Sequence, residues 1–311
     1  MNRDRLIGAL YVTLSAASFG AMAIFARYAY ASGADVVAVL FLRFMLAGLL
    51  LTGVMLMGRR RWPRGRNLLV LVLMGGLGYV AQSYSFFAAL NYASAGLVAL
   101  LLYLYPFLVT VFGALLWRRR LSAGRISAVL AALVGTALTL GGGIDGQPLG
   151  IALGITAALI YSVYVLAGSQ VLDKEEPLAA ATVVMLSAAV VFGGFALVNA
   201  PSWPAGVSGW VSVSAIALVS TVIAMVGFFA GMKRLGAADA ATLSTLEPVV
   251  TFVLAAIFLS EPLRANQLLG GAIILGAVIW LTRTGAASGA GAPKLGDQAA
   301  VSGVSGRNSA S

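Results

Sequence analysis

The chain contains no cysteine and no histidine. Without thiols there are no disulfides, thiolate nucleophiles or thiolate ligands. Without imidazole, the usual proton relay near neutral pH and the commonest metal ligand are missing. Charge is scarce as well, at 10% of the 311 residues, against about 25% in soluble domains. No GxxxxGK[S/T] run occurs, so the common phosphate-cradling loop is absent. Carboxylates do not cluster as an acid/base pair either. Asp173, Glu175 and Glu176 share one loop with Lys174 and read as a solvated turn. These absences argue against metal, cofactor and nucleotide chemistry, and against an enzyme acting on lipids. No metal and no cofactor are expected.

What the sequence does contain is apolar: 60% of residues are hydrophobic and the mean hydropathy is +0.97. A helix needs about 20 apolar residues to cross a bilayer. By that rule ten spans are expected: Leu6–Ala26, Val36–Met57, Leu68–Ala89, Ala95–Trp117, Ile126–Gly142, Leu149–Ala167, Leu178–Val198, Trp210–Met232, Ala240–Leu259 and Ala265–Leu281. The first is read as a membrane helix, not a cleaved leader, because its apolar run is long for a signal core. The fold class is therefore an all-α integral membrane protein.

The net charge of +10 does not point to nucleic acid, because the basic residues sit in short loops between apolar runs. With the N-terminus inside, Arg3, Arg5, Arg59–Arg61, Arg64, Arg66, Arg118–Arg120, Arg125, Lys174, Lys233, Arg234, Arg283 and Lys294 are cytoplasmic. Arg27 and Arg264 are outside. This asymmetry sets both termini in the cytoplasm. Arginine outnumbers lysine seventeen to three, which hints at a GC-rich bacterial genome, so a bacterial inner membrane is expected. The expected partners are the lipid bilayer and a small-molecule solute, with no nucleic acid; a homo-oligomer is compatible with the sequence. Residues 285–311 are rich in Gly, Ala and Ser without an apolar period and read as a disordered cytoplasmic tail.

The two halves repeat. Placing Pro106 on Pro248 matches Ala95 with Ala237, Ala99 with Ala241, Leu101 with Leu243, Leu104 with Leu246, Val111 with Val253 and Ala114 with Ala256. One residue of slippage then brings Gly135 onto Gly276. An odd number of spans per half makes the second copy enter from the opposite side, so the expectation is two inverted five-helix repeats, 1–142 and 143–284. That architecture suits alternating access.

The segment AGLVALLLYLYPFLV, its partner ATLSTLEPVV, the FLSEPL before the last span and the FLRF around Arg43 resemble the EamA-type transporters of the drug/metabolite transporter superfamily, over roughly residues 6–283. The resemblance implies a metabolite carrier, often an exporter. Two positions depart from the family pattern: Arg119 replaces an acid retained as Glu261 in the second half, and Phe19 stands where Trp is frequent.

Candidate solute contacts follow from polarity within apolar spans. Apart from tyrosines, only Arg43 and Glu247 are ionisable there, and a charge near the bilayer centre costs about 3 kcal/mol or more. At ~1.5 Å per residue, Arg43 lies about 10 Å from the outer surface and Glu247 about 10 Å from the inner one. Glu247 could hold an amino-bearing group or exchange a proton. Tyr79 and Gln82 belong to the third span, Tyr103 and Tyr105 to the fourth, and Tyr161 and Tyr164 to the sixth. Ser18 and Thr221 complete the set of candidate contacts; Ser15, Met22, Phe86, Met225 and Phe228 are further positions at helical spacing. Pro106 and Pro248 mark helix kinks, whose freed carbonyls are tolerated only inside protein or beside a wet cavity. The leading function is a secondary transporter moving a small organic metabolite. A lipid or lipid-linked-sugar flippase, a lipid-modifying enzyme and an assembly subunit are the alternatives.

Overall fold

A polar run breaks the apolar pattern wherever the chain turns, and the helices end there. In the computed structural model, which describes residues 3–89, 92–93, 98, 101–117, 121–140, 146–258 and 263–288, almost everything else is helix. The first half contains α1 (Arg3–Gly20), α2 (Met22–Ala31), α3 (Val36–Met57), α4 (Gly65–Leu73), α5 (Val80–Ala89), α6 (Tyr105–Leu116) and α7 (Ala123–Leu140). The second contains α8 (Pro148–Leu172), α9 (Pro177–Asn199), α10 (Gly206–Ala217), α11 (Ala224–Leu235), α12 (Ala237–Leu243), α13 (Glu247–Phe258) and α14 (Ala265–Ser288). Among the described residues seven helical stretches are long and apolar enough to cross a membrane, and α6, α7 and α14 contain shorter apolar ones. The expected run Ala95–Trp117 is described mainly in its second half. The Arg119 and Glu261 positions and most of the tail lie outside the described residues.

Several boundaries differ from the hydropathy reading. The first stretch continues past Ala26 to Ala31, with a break at Ala21 that separates α1 from α2. The ninth begins at Ala237, not Ala240, because the acid at 239 is held by partners and does not end the helix. Both prolines sit where one helical segment gives way to the next. Pro106 and Pro248 each occupy the second position of a new helix, where a missing N–H removes no intrahelical bond. The break before α13 is a single 3-10 turn, Ser244–Leu246.

Helices pair in a pattern that maps onto itself when the halves are exchanged. The α1 helix packs on α11 and α5 on α8, while α3 packs on α9 and α7 on α14. Small residues permit the close crossings. A Cβ at Gly8 would meet Arg234 and Leu235 at 2.9 Å, and one at Gly135 would meet the Gly270 carbonyl at 2.8 Å. On one face of the bundle, Arg60 pairs with Glu176 at 2.7 Å and Asn67 donates to Glu175 at 2.7 Å. There α1 begins and α8 ends, so the two halves run in opposite senses. We call this the terminal face. On the opposite face Asp35 caps α3 by accepting from Ala38 N, and its other oxygen accepts from Ser202 N, both at 2.8 Å.

Each half also carries one π-helical turn, Met74–Tyr79 before α5 and Leu218–Ile223 before α11. Such wide turns add a residue and re-aim the side chains that follow. In the first, Gly75 lies against the backbone of Val184, so a Cβ there would enter the Val184 carbonyl, whereas at Gly76 the nearest atom is 3.6 Å away. Gly75→Ala is therefore expected to lower stability by ~1–3 kcal/mol through overpacking, with Gly76→Ala near neutral. Thermal unfolding of the two variants in detergent checks the contrast.

Candidate functional site

The π turns and helix breaks surround a cavity of about 430 Å³ in the middle of the bundle. Both halves line it. Phe19, Met22 and Tyr30 come from α1–α2, Arg43 from α3, Tyr79 from the first π turn and Gln82 and Phe86 from α5. Tyr103 comes from the turn before α6 and Tyr105 from its first residue, Tyr161 from α8, Phe228 from α11, and Ser244, Glu247 and Thr251 from the turn into α13 and its first turns. Its lining extends to Arg27, Tyr30 and Phe86, toward the face opposite the termini. A larger groove of about 800 Å³ lies on the bundle's flank among Val70, Phe112, Leu116 and Val163. Its walls are mainly apolar, its charges are Arg66 and Lys174 at the terminal-face end, and it contains neither Arg43 nor Glu247.

Arg43 is buried, and its guanidinium is held from two sides. Nε donates to Thr221 Oγ1 at 2.8 Å and an Nη donates to the Tyr79 hydroxyl at 3.1 Å. Both acceptors belong to π turns, one from each half. Thr221 in turn donates to the Ile216 carbonyl at 2.9 Å, five residues back, which satisfies an acceptor in the widened turn. The Arg43 head also lies 4.9 Å from the centre of the Phe44 ring, a cation–π distance. The side chain does not reach for the bilayer surface; it is bound inside the bundle.

Glu247 sits across the same cavity, close enough to Arg43 to interact electrostatically, with the hydroxyl of Tyr103 facing its carboxyl group. Counting residues from the span ends sets the two at different depths, yet one cavity extends over several turns and meets both. Gly20 makes room for this arrangement, because a Cβ there would stand 2.9 Å from the Glu247 carbonyl. Thr251 bridges the same place, its hydroxyl lying 3.0 Å from the carbonyls of both Gly20 and Glu247.

Tyrosines form the remaining wall. The rings of Tyr105 and Tyr161 meet edge to face with centroids 4.7 Å apart, and Tyr103 lies 6.5 Å from Tyr105. Tyr164 does not line the cavity. It stacks behind Tyr161 at 5.8 Å, meets the tilted ring of Tyr79 at 5.6 Å, and its hydroxyl meets the Met225 sulfur at 3.8 Å. Ser18 is buried on α1 away from the lining, and Thr221 is one layer removed, acting through Arg43. Pro106 and Pro248 are both buried. The lining residues that hydropathy alone passed over include Ser244 and Thr251. They flank Glu247 at −3 and +4, the helical spacing that could have found them.

The fold and site define a helical membrane protein with a central polar and aromatic chamber between two related halves. The EamA-like transporter family matches the chain twice, over residues 6–141 and 148–283, and the chain belongs to that family. It is thus a member of a family of membrane transporters, not of enzymes. It is 30% identical over 283 residues to a Bacillus subtilis (strain 168) protein named uncharacterized transporter YcbK, covering 86% of this chain and 90% of that one. It is 30% identical over 230 residues to a protein of Ancylobacter novellus named aromatic amino acid exporter YddG, covering 71% and 76% of the two. One crystal structure shares the fold with a TM-score of 0.78 at 24% identity, covering 89% of this chain and 97% of that one.

Proposed function

We propose that the protein is a secondary transporter that exports a zwitterionic amino acid with an aromatic or other apolar side chain. In this reading ten spans form two inverted five-helix repeats, residues 1–142 and 143–284, in a bacterial inner membrane. Both termini are cytoplasmic, and residues 285–311 form a disordered tail. The two halves rock about the chamber, driven by the solute gradient or the proton-motive force.

One observation carries the reading: Arg43 and Glu247, opposite charges, face a single cavity walled by Tyr103, Tyr105, Tyr161 and Phe228. A zwitterion matches that charge pair, with its carboxylate toward the guanidinium and its ammonium toward the carboxylate. An aromatic side chain would lie against the rings. The cavity is within the range of about 300–1,000 Å³ common for small-molecule sites. The name of the Ancylobacter novellus relative points the same way. Metabolites in supernatant and cytoplasm, compared with and without the protein, should differ in amino acids of this type. Proteoliposomes should take up labelled L-phenylalanine down its gradient. Unchanged amino-acid pools together with no flux would overturn the proposal.

A further inference from the structure

Below the central chamber, toward the terminal face, lies a second cavity of about 280 Å³. Its walls include Thr110, Ser169, Gln170, Asp173, Lys233 and the pair Arg125–Asp239. A buried layer separates the two cavities. Tyr105 lines the chamber, its hydroxyl facing the Ala241 carbonyl at 3.4 Å, and Val109, one turn on, lines the lower cavity.

Asp239 is 1% exposed, yet it is held by two arginines from the other half of the chain. Arg125 Nη2 lies 2.7 Å from Oδ1 and Arg5 Nη2 lies 2.6 Å from Oδ2. The second half is thereby tied to the first at the start of α1 and of α7, on the side away from the Arg27, Tyr30 and Phe86 end of the chamber. The Arg125 side chain is 36% exposed and that of Arg5 is 21% exposed. Arg125 lines the cavity and Arg5 does not. A single buried pair resists opening, because loss of one partner leaves a bare buried charge. In the three-membered arrangement, Arg125 can leave while Arg5 still neutralises Asp239.

We propose that the lower cavity is a second solute site, specific for zwitterions, in which the solute replaces the Arg125–Asp239 bond. The ammonium group takes Asp239 Oδ1 and the carboxylate takes the freed Arg125 guanidinium, so two charge pairs replace one and no buried charge is left alone. The exchange loosens the tie between the halves only when a molecule of both charges is present. A solute without the ammonium group leaves Asp239 Oδ1 buried with no donor, although Arg5 still holds Oδ2, and one without the carboxylate leaves the displaced Arg125 guanidinium with no partner. The site rests on the transporter reading above, for which it supplies the cytoplasmic loading step.

The absence of cysteine makes a direct test simple. Ser169→Cys places a single, near-isosteric thiol in the wall of the lower cavity, to be labelled with a charged maleimide in detergent, where both faces are open. L-phenylalanine at about ten times its Kd is expected to slow labelling about tenfold. N-acetylphenylalanine and phenylalaninamide, each lacking one charge, should not slow it. Protection should persist with Glu247→Gln added and disappear with Arg125→Gln added. Gel filtration and the unprotected labelling rate establish that Arg125→Gln is folded. If that variant aggregates, Arg125→Lys is used, and it should retain partial protection. Absence of protection in protein that transports L-phenylalanine overturns the lower site and leaves the central reading standing. Protection without flux leaves the lower site standing and overturns the central reading. Equal protection by the singly charged analogues, or protection lost with Glu247→Gln, also overturns the proposal.

Discussion

Glu247→Gln is expected to abolish most transport while leaving the protein folded and inserted. The substitution keeps the side chain's size and its ability to accept from Tyr103, but it removes the charge that faces Arg43 and the solute's ammonium group. A hydrogen bond to a charged partner contributes ~1.5–3 kcal/mol, so apparent affinity for L-phenylalanine should fall about 10- to 100-fold. The loss should be far smaller for an analogue without an amino group, since that molecule never used the carboxylate. Uptake by proteoliposomes across a concentration series, for both solutes, separates a binding role from a packing role. A purely structural carboxylate would lower the yield of folded protein and affect both solutes alike. Normal uptake with unchanged pH dependence in the Gln variant would remove solute binding and proton exchange together.

Much of the architecture could be read from the sequence because a bilayer imposes one coarse rule, an apolar run of spanning length, and seven of the described helical stretches obey it. The repeat was legible at Tyr105-Pro106 and Glu247-Pro248 because a proline in an apolar run is rare enough to align on. The local consequence was not, since whether a proline kinks a helix or starts a new one depends on the residues before it. Here a 3-10 turn at Ser244–Leu246 lets α13 begin at Glu247. Charged members of the chamber stood out for the same reason the spans did. So did the tyrosines and Gln82, as polar groups within apolar spans, but the small hydroxyls of the turn into α13 did not. Ser244 and Thr251 resemble any hydroxyl that bonds its own helix, and Phe19 any packed ring, until the fold directs them inward. The π turns had a partial signal in the glycines at 75, 76 and 78, but none in Leu218–Ile223. Asp239 was missed because it stands at the edge of an apolar run, where an acid normally meets water. Its partners are 234 and 114 residues away, and no local pattern announces them.

Arg43 tests the other half of the chamber, and its variants should separate charge from geometry. In Arg43→Gln the guanidinium is gone. The Tyr79 hydroxyl then loses its donor, at a cost to stability of ~1–3 kcal/mol for a buried group left unpaired, while Thr221 keeps its bond to the Ile216 carbonyl. Transport of L-phenylalanine should be lost, because the solute carboxylate then meets no cation where the guanidinium stood. Arg43→Lys retains the charge as a compact point that cannot reach Thr221 and Tyr79 together. It should retain transport at about a tenth of the parental rate, a barrier increase of ~1.4 kcal/mol, with stability between Gln and wild type. Tyr79→Phe removes one acceptor and no charge, so it should cost ~1 kcal/mol of stability while transport changes less than in either arginine variant. Thermal unfolding in detergent and proteoliposome uptake, measured on the same preparations, give the two scales. Arg43→Gln protein that unfolds early yet transports normally would make Arg43 a bolt between the two π turns and nothing more. A fall in transport that tracks charge, not unfolding temperature, places its guanidinium on the solute, where the two halves of the chain meet.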